Sequence, residues 1–253
     1  MDQNENKALL QGLLDFGEAM LCAGAEIGRV EDSLSRLCAA YGAEKADVFV
    51  ITSSIVLTVQ FQNGETLTGT RRIRKSGDLD FEKIAGLNAL ARESASSPVS
   101  IPRLKEKIRS IDGGCPRPLL LYAGSALASG AFALFFGGSP WDGLFSALFG
   151  LLICFFQRSL SKKSPNKAFF LFITSLICGC VICLLGKALP FLHVDMIIMG
   201  DIMLLVPGIA ITTAARDMVI GDTISGATRL LECLVWAGML AGGFMLSLLI
   251  LGR

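Results

Sequence analysis

The stretch Asp201–Glu232 holds the residues of this sequence that are best suited to binding chemistry. Pro207 and Gly208 interrupt an apolar helical pattern there, and threonine, arginine and acidic residues follow them. Proline breaks a helix, and lipid tolerates a break only where the freed backbone groups face protein or water. Such groups can bind ions and carboxylates, so we predict a substrate- or ion-binding site here. The candidate residues are Asp201, Pro207, Gly208, Thr212, Thr213, Arg216, Asp217, Asp222, Arg229 and Glu232.

Different members of this set suit different ligands. Ile209 begins the half-helix after the break, and backbone amides at the start of a helix attract an anion. Thr212 and Arg216 are four residues apart on one helical face, an arrangement that suits a carboxylate ligand. Asp201 lies six residues before the break, at membrane depth, where we expect it to bind and release a proton. Glu232 is a second candidate for that role.

Simpler explanations of the same charges stay open. At 1.5 Å per residue, Arg216 lies about 13 Å beyond the helix break, so Arg216 and Asp217 can be ordinary charges at the membrane edge. Arg229 can neutralise Glu232 across one helical turn. Neither explanation requires a ligand.

The composition separates a water-soluble part from a membrane part. Hydrophobic residues make up 52% of the chain and the mean hydropathy is +0.58, which is too apolar for an ordinary soluble domain. Residues 1–117 carry 15 Lys and Arg against 16 Asp and Glu, and residues 118–253 carry 8 against 6, which together make the totals of 23 and 22. We predict a soluble domain over 1–117 and a membrane domain over 118–253. The net charge of +1 argues against a nucleic-acid partner.

Residues 1–117 have the pattern of an α+β domain. Apolar residues recur every three to four positions in the first part, which predicts two helices that separate near Gly24. Three segments rich in Val, Ile, Phe and Thr follow, and the turn signal Asn63-Gly64 predicts an antiparallel meander with the helices on one face. Asp78 and Asp80 begin a further helix, as expected for acids at its positive end. The strand segments are Asp47–Thr52, Ile55–Gln62 and Glu65–Ile73.

Two groups of charges on this domain have more than one interpretation. The polar side of the second helix is either a solvated face with local ion pairs or a docking surface for the membrane half or a partner. The basic group at the end of the third strand pairs with lipid phosphates, with an anionic ligand or with acidic helix faces nearby. The first group is Glu26, Arg29, Glu31, Asp32 and Arg36, and the second is Arg71, Arg72, Arg74 and Lys75.

No arrangement of catalytic or metal-binding residues emerges from the sequence. The single histidine, His193, is remote from Ser53 and Ser54, which lack a nearby base. Three cysteines of one apolar segment have metal-like spacing but no histidine or carboxylate beside them, so we expect apolar packing. Asp142 is expected to cap a helix. We therefore predict no catalytic residue, no metal and no cofactor. The three cysteines are Cys178, Cys180 and Cys183.

Five apolar segments follow, and against the roughly 20 helical residues that cross a bilayer the second segment is short and the fifth is long, so some tilt or interfacial extension is expected. The loop between the second and third segments is basic, with Arg158, Lys162, Lys163 and Lys167, whereas the loops at the other side hold at most one lysine. By the positive-inside rule, this loop and the soluble domain lie in the cytoplasm, and the C-terminus lies outside after five crossings. We predict a multi-pass protein in contact with lipid. The segments are Leu119–Phe136, Trp141–Phe156, Ala168–Leu185, Val194–Ala215 and Ile224–Leu251.

Five stretches, taken together and in order, carry a family resemblance. They are AGAEIGRVEDSLSRLCAAYG at Ala23–Gly42, ADVFVITSSIVLTV at Ala46–Val59, TRRIRKSGDLDFEKIAGLNALAR at Thr70–Arg92, FGGSPWDGLFSALFG at Phe136–Gly150 and VPGIAITTAARDMVIGDTISGATRLLE at Val206–Glu232. These stretches resemble the threonine/serine exporter family, and the resemblance covers most of the chain.

The resemblance implies a cytoplasmic α/β domain, five membrane helices and export of small polar metabolites across a bacterial cytoplasmic membrane by the proton motive force. In split members of the family, a five-helix protein works beside a smaller five-helix subunit, and this branch is associated with dicarboxylate (succinate) export as well as amino acids. This chain resembles the split form. The implied partners are a small carboxylate substrate and a second five-helix subunit, although a homo-oligomer completes the pathway equally well. Thr213 departs from the family pattern, which has Asn there, so threonine or serine specificity does not transfer directly.

Two other classes of function remain for comparison. One is a membrane-anchored sensor or scaffold, whose cytoplasmic domain binds a ligand or partner. The other is a membrane-bound hydrolase, which the missing pairing of nucleophile and base disfavours.

Overall fold

The chain folds into two compact units in the computed structural model, which describes residues 3–74, 79–112, 118–160, 164 and 166–252. The first unit contains Met1–Gly114 and Thr212–Arg229, and the second contains Cys115–Ile211 and Leu230–Arg253. The polar segment after the helix break therefore belongs to the same unit as the N-terminal residues. The domain boundary predicted after residue 117 falls at 113–117, outside the described residues.

The N-terminal part of the first unit combines helices with a small sheet. The strands pair antiparallel in the order β1-β2-β3, which confirms the predicted meander. The elements are α1 (Gln3–Cys22), α2 (Ile27–Ala40), β1 (Ala43–Ile51), β2 (Ser54–Phe61), β3 (Thr66–Arg72), α3 (Phe81–Ser96) and α4 (Ile101–Asp112).

The central strand β2 buries every second residue, as the period of a strand requires. Ile55, Leu57 and Val59 are buried, and the residues between them are partly exposed. Helix α1 lies close to β3 because Gly69 has no side chain: a Cβ there would lie 2.8 Å from Leu14 Cδ1. The helices and the sheet thus share one apolar core.

A turn at Gly24 separates α1 from α2, as the sequence predicts. Its φ of 81° lies in the left-handed region that glycine tolerates best. The amide of Asp80 donates to the carbonyl of Ala23 at 3.0 Å, which ties this turn to the start of α3. The Asp80 side chain accepts a hydrogen bond from Lys83 N at 3.0 Å and caps α3. Asp78, predicted to begin the same helix, lies outside the described residues.

Arg71 at the end of β3 pairs with acidic residues of α1. Its guanidinium lies 2.6 Å from Asp15 Oδ1 and 3.2 Å from Glu18 Oε2. For this residue, pairing with an acidic helix face is confirmed. Lys75 of the same basic group lies outside the described residues.

Six further helices complete the described chain, and they account for the predicted spans. Four of them are long and apolar enough to cross a membrane, and α8 and α9 make a fifth span if the bent pair counts as one. The chain bends by 49° between α8 and α9. The predicted five spans thus correspond to four or five candidates. The helices are α5 (Pro118–Phe135), α6 (Pro140–Ser159), α7 (Lys167–Ala188), α8 (Val194–Leu205), α9 (Gly208–Ile220) and α10 (Thr223–Leu251).

Small residues bring α5 and α6 close together in the second unit. A Cβ on Gly130 would lie 2.8 Å from the Gly143 carbonyl oxygen, and a Cβ on Gly150 would lie 2.8 Å from the Ser125 carbonyl oxygen. Ser125 Oγ donates to the Gly150 carbonyl at 2.9 Å. Close backbone approach with hydrogen bonds from small side chains is typical of helices packed in lipid.

Large apolar side chains remain exposed on these helices. Leu119, Phe135 and Leu249 are among them. Water would hydrate such a surface unfavourably, whereas a bilayer would cover it, so the exposure supports a membrane location. Lys162 and Lys163 of the basic loop lie outside the described residues, and the orientation of the chain stays a prediction.

Candidate functional site

Asp201 on α8 is fully buried inside the second unit. Its Oδ1 accepts hydrogen bonds from Ser129 Oγ on α5 at 2.5 Å and from Ser146 Oγ on α6 at 3.1 Å. Its Oδ2 is also buried, and no hydrogen-bond partner for it occurs among the described residues. A buried carboxylate oxygen without a partner costs free energy, so this environment is poorly suited to a permanent negative charge.

The hydrogen bonds around Asp201 leave room for a proton. Ser129 Oγ lies 2.5 Å from Asp201 Oδ1, 2.6 Å from Ser146 Oγ and 2.9 Å from the Ser146 carbonyl. With the contact between Ser146 Oγ and Asp201 Oδ1, four contacts share two hydroxyl hydrogens. A carboxyl proton adds a third hydrogen. In that form Asp201 can donate one of these hydrogen bonds, which an ionised carboxylate cannot.

A glycine lets α8 approach α5 and α6 at this point. A Cβ on Gly200 would lie 2.5 Å from Ser146 Oγ and 2.7 Å from the Ser129 carbonyl oxygen, closer than side chains pack. The sequence prediction includes Asp201 but neither serine. The small residues Ser129-Gly130 and Gly143 indicate close helix packing, but they do not reveal which acid the serines bind.

Pro207 separates α8 from α9, and several backbone groups of the break are bonded within it. Val206 N donates to the Ile202 carbonyl at 2.9 Å at the end of α8. Gly208 N donates to the Val206 carbonyl at 2.8 Å, and Ile211 N donates to the Pro207 carbonyl at 3.0 Å. The Gly208 amide is therefore already bonded in this conformation. Anion binding by the amides that follow stays a prediction.

Two ion pairs of the first unit contain residues that the sequence analysis proposed for the binding site. Arg229 Nη1 lies 3.2 Å from Asp217 Oδ2, and these side chains are 14% and 4% exposed. Arg216 pairs with Glu26, the residue that precedes α2, and the Arg216 side chain is 53% exposed. Arg229 thus pairs with Asp217 and not with Glu232, the alternative partner that the sequence left open. Glu232 is exposed on α10, in the second unit.

A glycine turn connects α9 to α10 near the buried pair. Gly221 has a φ of 116°, which a residue with a side chain adopts only under strain. Across this turn the amide of Asp222 donates to the carbonyl of Asp217 at 2.9 Å. The turn therefore reverses the chain and allows Arg229, on the first turns of α10, to reach the Asp217 side chain.

The predicted site residues divide between the two units. Thr212, on α9, is exposed, and Thr213 beside it is half-buried. The first unit holds Thr212, Thr213, Arg216, Asp217, Asp222 and Arg229, and the second holds Asp201, Pro207, Gly208 and Glu232.

The charged face of α2 is in part a solvated face with a local ion pair and in part a contact surface, the two interpretations that the sequence left open. Arg36 and Asp32 form a local ion pair at 2.9 Å, as on a solvated face. Glu26 instead contacts Arg216, far away in sequence, and also lies 3.9 Å from Arg29 Nη2. Part of this face is therefore solvated, and its N-terminal end is engaged by the segment that follows the helix break.

A second buried carboxylate, Asp142, lies at the start of α6. Its Oδ2 accepts a hydrogen bond from Ser139 N at 2.7 Å within a capping box, which confirms the predicted helix cap. Its Oδ1 accepts from His193 N at 2.8 Å, and its Oδ2 lies 2.9 Å from His193 Nδ1. The hydrogen bond to Asp142 raises the pKa of His193. Asp142 therefore ties the turn between α5 and α6 to the residue that precedes α8.

A groove of about 470 Å³ lies along α2 and α3 in the first unit. Three arginines line it, Arg29, Arg36 and Arg92, together with one carboxylate, Asp32, and the amide of Asn88. Guanidinium groups bind carboxylates and phosphates through pairs of hydrogen bonds. The excess of arginine over aspartate makes this groove suitable for a small anion.

The cysteines of α7 pack as apolar groups. Cys178 and Cys183 are buried free thiols, and Cys178 belongs to the apolar core of the second unit. Across the part of the chain that the structure describes, no group of three or more His, Cys, Asp or Glu side chains is arranged to hold a metal ion.

Comparison with known proteins agrees with the family resemblance. The model of a family described as "Putative threonine/serine exporter" matches residues 11–251. A protein of Klebsiella aerogenes named "Probable succinate transporter subunit YjjP" is 24% identical over 231 residues, which cover 90% of this chain and 88% of that protein. No solved structure matches the chain.

Proposed function

Since the chain belongs to the threonine/serine exporter family, we propose that it is one subunit of a proton-driven membrane exporter for small carboxylate-bearing metabolites. The substrates are amino acids of the threonine and serine type or dicarboxylates such as succinate. The exporter moves its substrate without covalent chemistry, so the chain is not an enzyme and needs no cofactor.

The buried carboxyl of Asp201 is the observation that carries this proposal. A proton-driven carrier needs a group inside the membrane that binds and releases a proton, and intramembrane acids commonly serve this purpose. Asp201 has one oxygen held by two serine hydroxyls and one oxygen without a described partner. Ser129 and Ser146 form hydrogen bonds with the protonated carboxyl. Release of the proton leaves a negative charge that the unpartnered oxygen shares, and this raises the free energy of the buried group.

Arg216 is the proposed binding group for the substrate carboxylate. Its side chain is half-exposed on α9, and it already binds a carboxylate, that of Glu26. Thr212, one helical turn earlier, adds a hydroxyl on the same helical face. Pro207 and Gly208 place these residues on a separate half-helix. In this proposal Asp217, Asp222 and Arg229 hold that half-helix in place, and Glu232 is the second proton-binding candidate.

The name of the relative as a transporter subunit supports a role within an assembly. We propose that a second five-helix subunit, or a second copy of this chain, completes the pathway. In this proposal the N-terminal domain lies in the cytoplasm of a bacterial cell and the C-terminus lies outside the inner membrane, which the positive-inside rule supports through the basic loop.

The substitution Asp201→Asn tests this function. Asparagine keeps the size of aspartate and can accept the serine hydrogen bonds, but it cannot bind and release a proton. We expect efflux of threonine or succinate to be abolished in cells that express the variant, while the protein still inserts into the membrane. Asp195→Asn, an exposed position on the same helix, is the matched control. Normal efflux in the Asp201→Asn variant would refute the proposal.

A membrane-anchored ligand sensor is the second candidate, and the basic groove along α2 and α3 favours it. In a sensor the groove binds a small anion, and the membrane helices serve as an anchor. The Asp201→Asn variant distinguishes the two functions. A sensor keeps its ligand response in this variant, because the groove and Asp201 belong to different units.

A further inference from the structure

We infer that Glu26 is a built-in competitor of the substrate: its carboxylate occupies the guanidinium of Arg216, and the substrate carboxylate must displace it. This inference rests on the proposed function, in which Arg216 binds the carboxylate of the exported metabolite. It assigns to Glu26 a role in setting the apparent affinity for substrate.

The contact between Glu26 and Arg216 has the chemistry of the proposed substrate complex. Arg216 binds a carboxylate oxygen of Glu26, and a carboxylate of threonine, serine or succinate presents the same pair of oxygens. A planar guanidinium does not distinguish a carboxylate of the protein from one of the ligand. The two are therefore alternatives at this group.

The side chain of Glu26 does not cap its own helix. Glu26 is the N-cap residue of α2, with φ −67° and ψ 145°, but its side chain makes no capping hydrogen bond. The N-cap position normally holds Ser, Thr, Asp or Asn, which cap the first turn. The Glu26 side chain instead reaches Arg216, so a neutral replacement at this position removes the ion pair without removing a cap.

Exposure separates this ion pair from its buried neighbour. The side chains of Arg216 and Glu26 are 53% and 24% exposed, so water and ligands can reach the pair. Ion pairs that solvent reaches contribute little to stability, so displacing one partner costs little. Asp217 and Arg229 are almost fully buried, and separating them would leave charges without partners. The pair between Glu26 and Arg216 is the one that substrate can open.

Arg29 provides a second position for the displaced carboxylate. It lies one helical turn into α2, and its Nη2 is 3.9 Å from Glu26 Oε2. When substrate binds Arg216, Glu26 can turn fully to Arg29 and keep its charge paired. Glu26 therefore exchanges between two arginines, and the balance between them sets how strongly it competes.

Efflux kinetics of the full chain, expressed with a second five-helix subunit, test this role. Succinate and threonine are the probes, and the initial efflux rate is measured against their internal concentration. In the Glu26→Gln variant we expect the half-saturating concentration to fall about threefold to fivefold, the ratio that a modest exposed ion pair gives, while the maximal rate does not fall. Arg29→Gln is expected to raise it, because Glu26 then loses its alternative partner.

The control is Asp47→Asn, which removes an exposed ion pair with Lys45 on β1, outside the groove, and should leave both kinetic parameters unchanged. Glu26→Asp shortens the side chain and should shift the half-saturating concentration in the same direction as Glu26→Gln. An unchanged or increased half-saturating concentration in both Glu26 variants, with normal amounts of protein in the membrane, would overturn the inference. Arg216→Gln tests the proposed function separately from the role of Glu26. Normal kinetics in this variant would refute Arg216 as the substrate-binding group.

Discussion

The ion pairs of Arg229 with Asp217 and of Arg216 with Glu26 have similar chemistry but different surroundings, and this difference predicts their contributions to stability. The pair of Arg229 with Asp217 is buried, whereas the pair of Arg216 with Glu26 is accessible to water. Removing one partner of a buried pair leaves an uncompensated charge. Removing one partner of an exposed pair returns the other to solvent.

We therefore expect Arg229→Gln to lower the free energy of unfolding by about 3–5 kcal/mol, because Asp217 remains buried and charged. Arg216→Gln should change it by about 0–1 kcal/mol. Denaturant unfolding of the purified chain in detergent measures both values.

The double variant Asp217→Asn with Arg229→Gln is the control for the buried pair. It removes both charges, so it should recover much of the stability that Arg229→Gln loses. Equal losses in Arg229→Gln and Arg216→Gln would show that exposure does not distinguish the two pairs.

At the residue scale, the sequence predicts charged groups better than their partners. Asp201 and Arg216 stand out because charges near an apolar helix are rare. Ser129, Ser146 and Glu26 do not, because serine is common in packed membrane helices and glutamate is common on soluble helix faces. Each of these three residues can be recognised as part of a site only from its contact with a residue far away in sequence.

At the element scale, the sequence predicts the broken helix but not the residues that contact it. Proline and glycine at 207–208 predict the break between α8 and α9, and the chain bends by 49° there. The start of α8 is held by His193, which directly precedes α8, and by Asp142 in the first turn of α6. Nothing local in the sequence pairs them, since the sequence predicts Asp142 only as a helix cap.

This attachment predicts a pH dependence of stability. The hydrogen bond and charge of Asp142, with a smaller effect of Asp195, raise the pKa of His193 above its ordinary value of 6.5. The charged imidazole therefore stabilises the folded chain fully below pH 6.5, and this contribution is lost as the pH rises through the raised pKa. The unfolding temperatures of the wild type and His193→Gln, measured across this range, should differ most at acidic pH and converge at alkaline pH.

The comparison with His193→Gln isolates the imidazole, because the bond from the backbone amide of residue 193 to Asp142 remains in the variant. Glutamine does not titrate, so the variant should lack this part of the pH dependence. Parallel curves for the two proteins would show that the charge of His193 does not contribute to the stability of the fold.

At the scale of the whole molecule, composition and periodicity predict most of the fold. The helix–sheet pattern of the first hundred residues, the meander and the apolar helices all follow from local sequence. The grouping of Thr212–Arg229 with the N-terminal residues does not. It depends on contacts such as that of Arg216 with Glu26, which are long-range and leave no periodic signal.

At this scale the proposed function predicts that this chain transports together with a second subunit. The described residues contain four or five candidate spans, and transporters commonly combine two related halves. We expect efflux of threonine, serine or succinate only when this chain is expressed with a second five-helix subunit, and none with either protein alone. Expression of each protein is verified in membranes by immunoblot. Efflux by this chain alone would instead require its own copies to complete the pathway, and crosslinked dimers in the membrane would identify them.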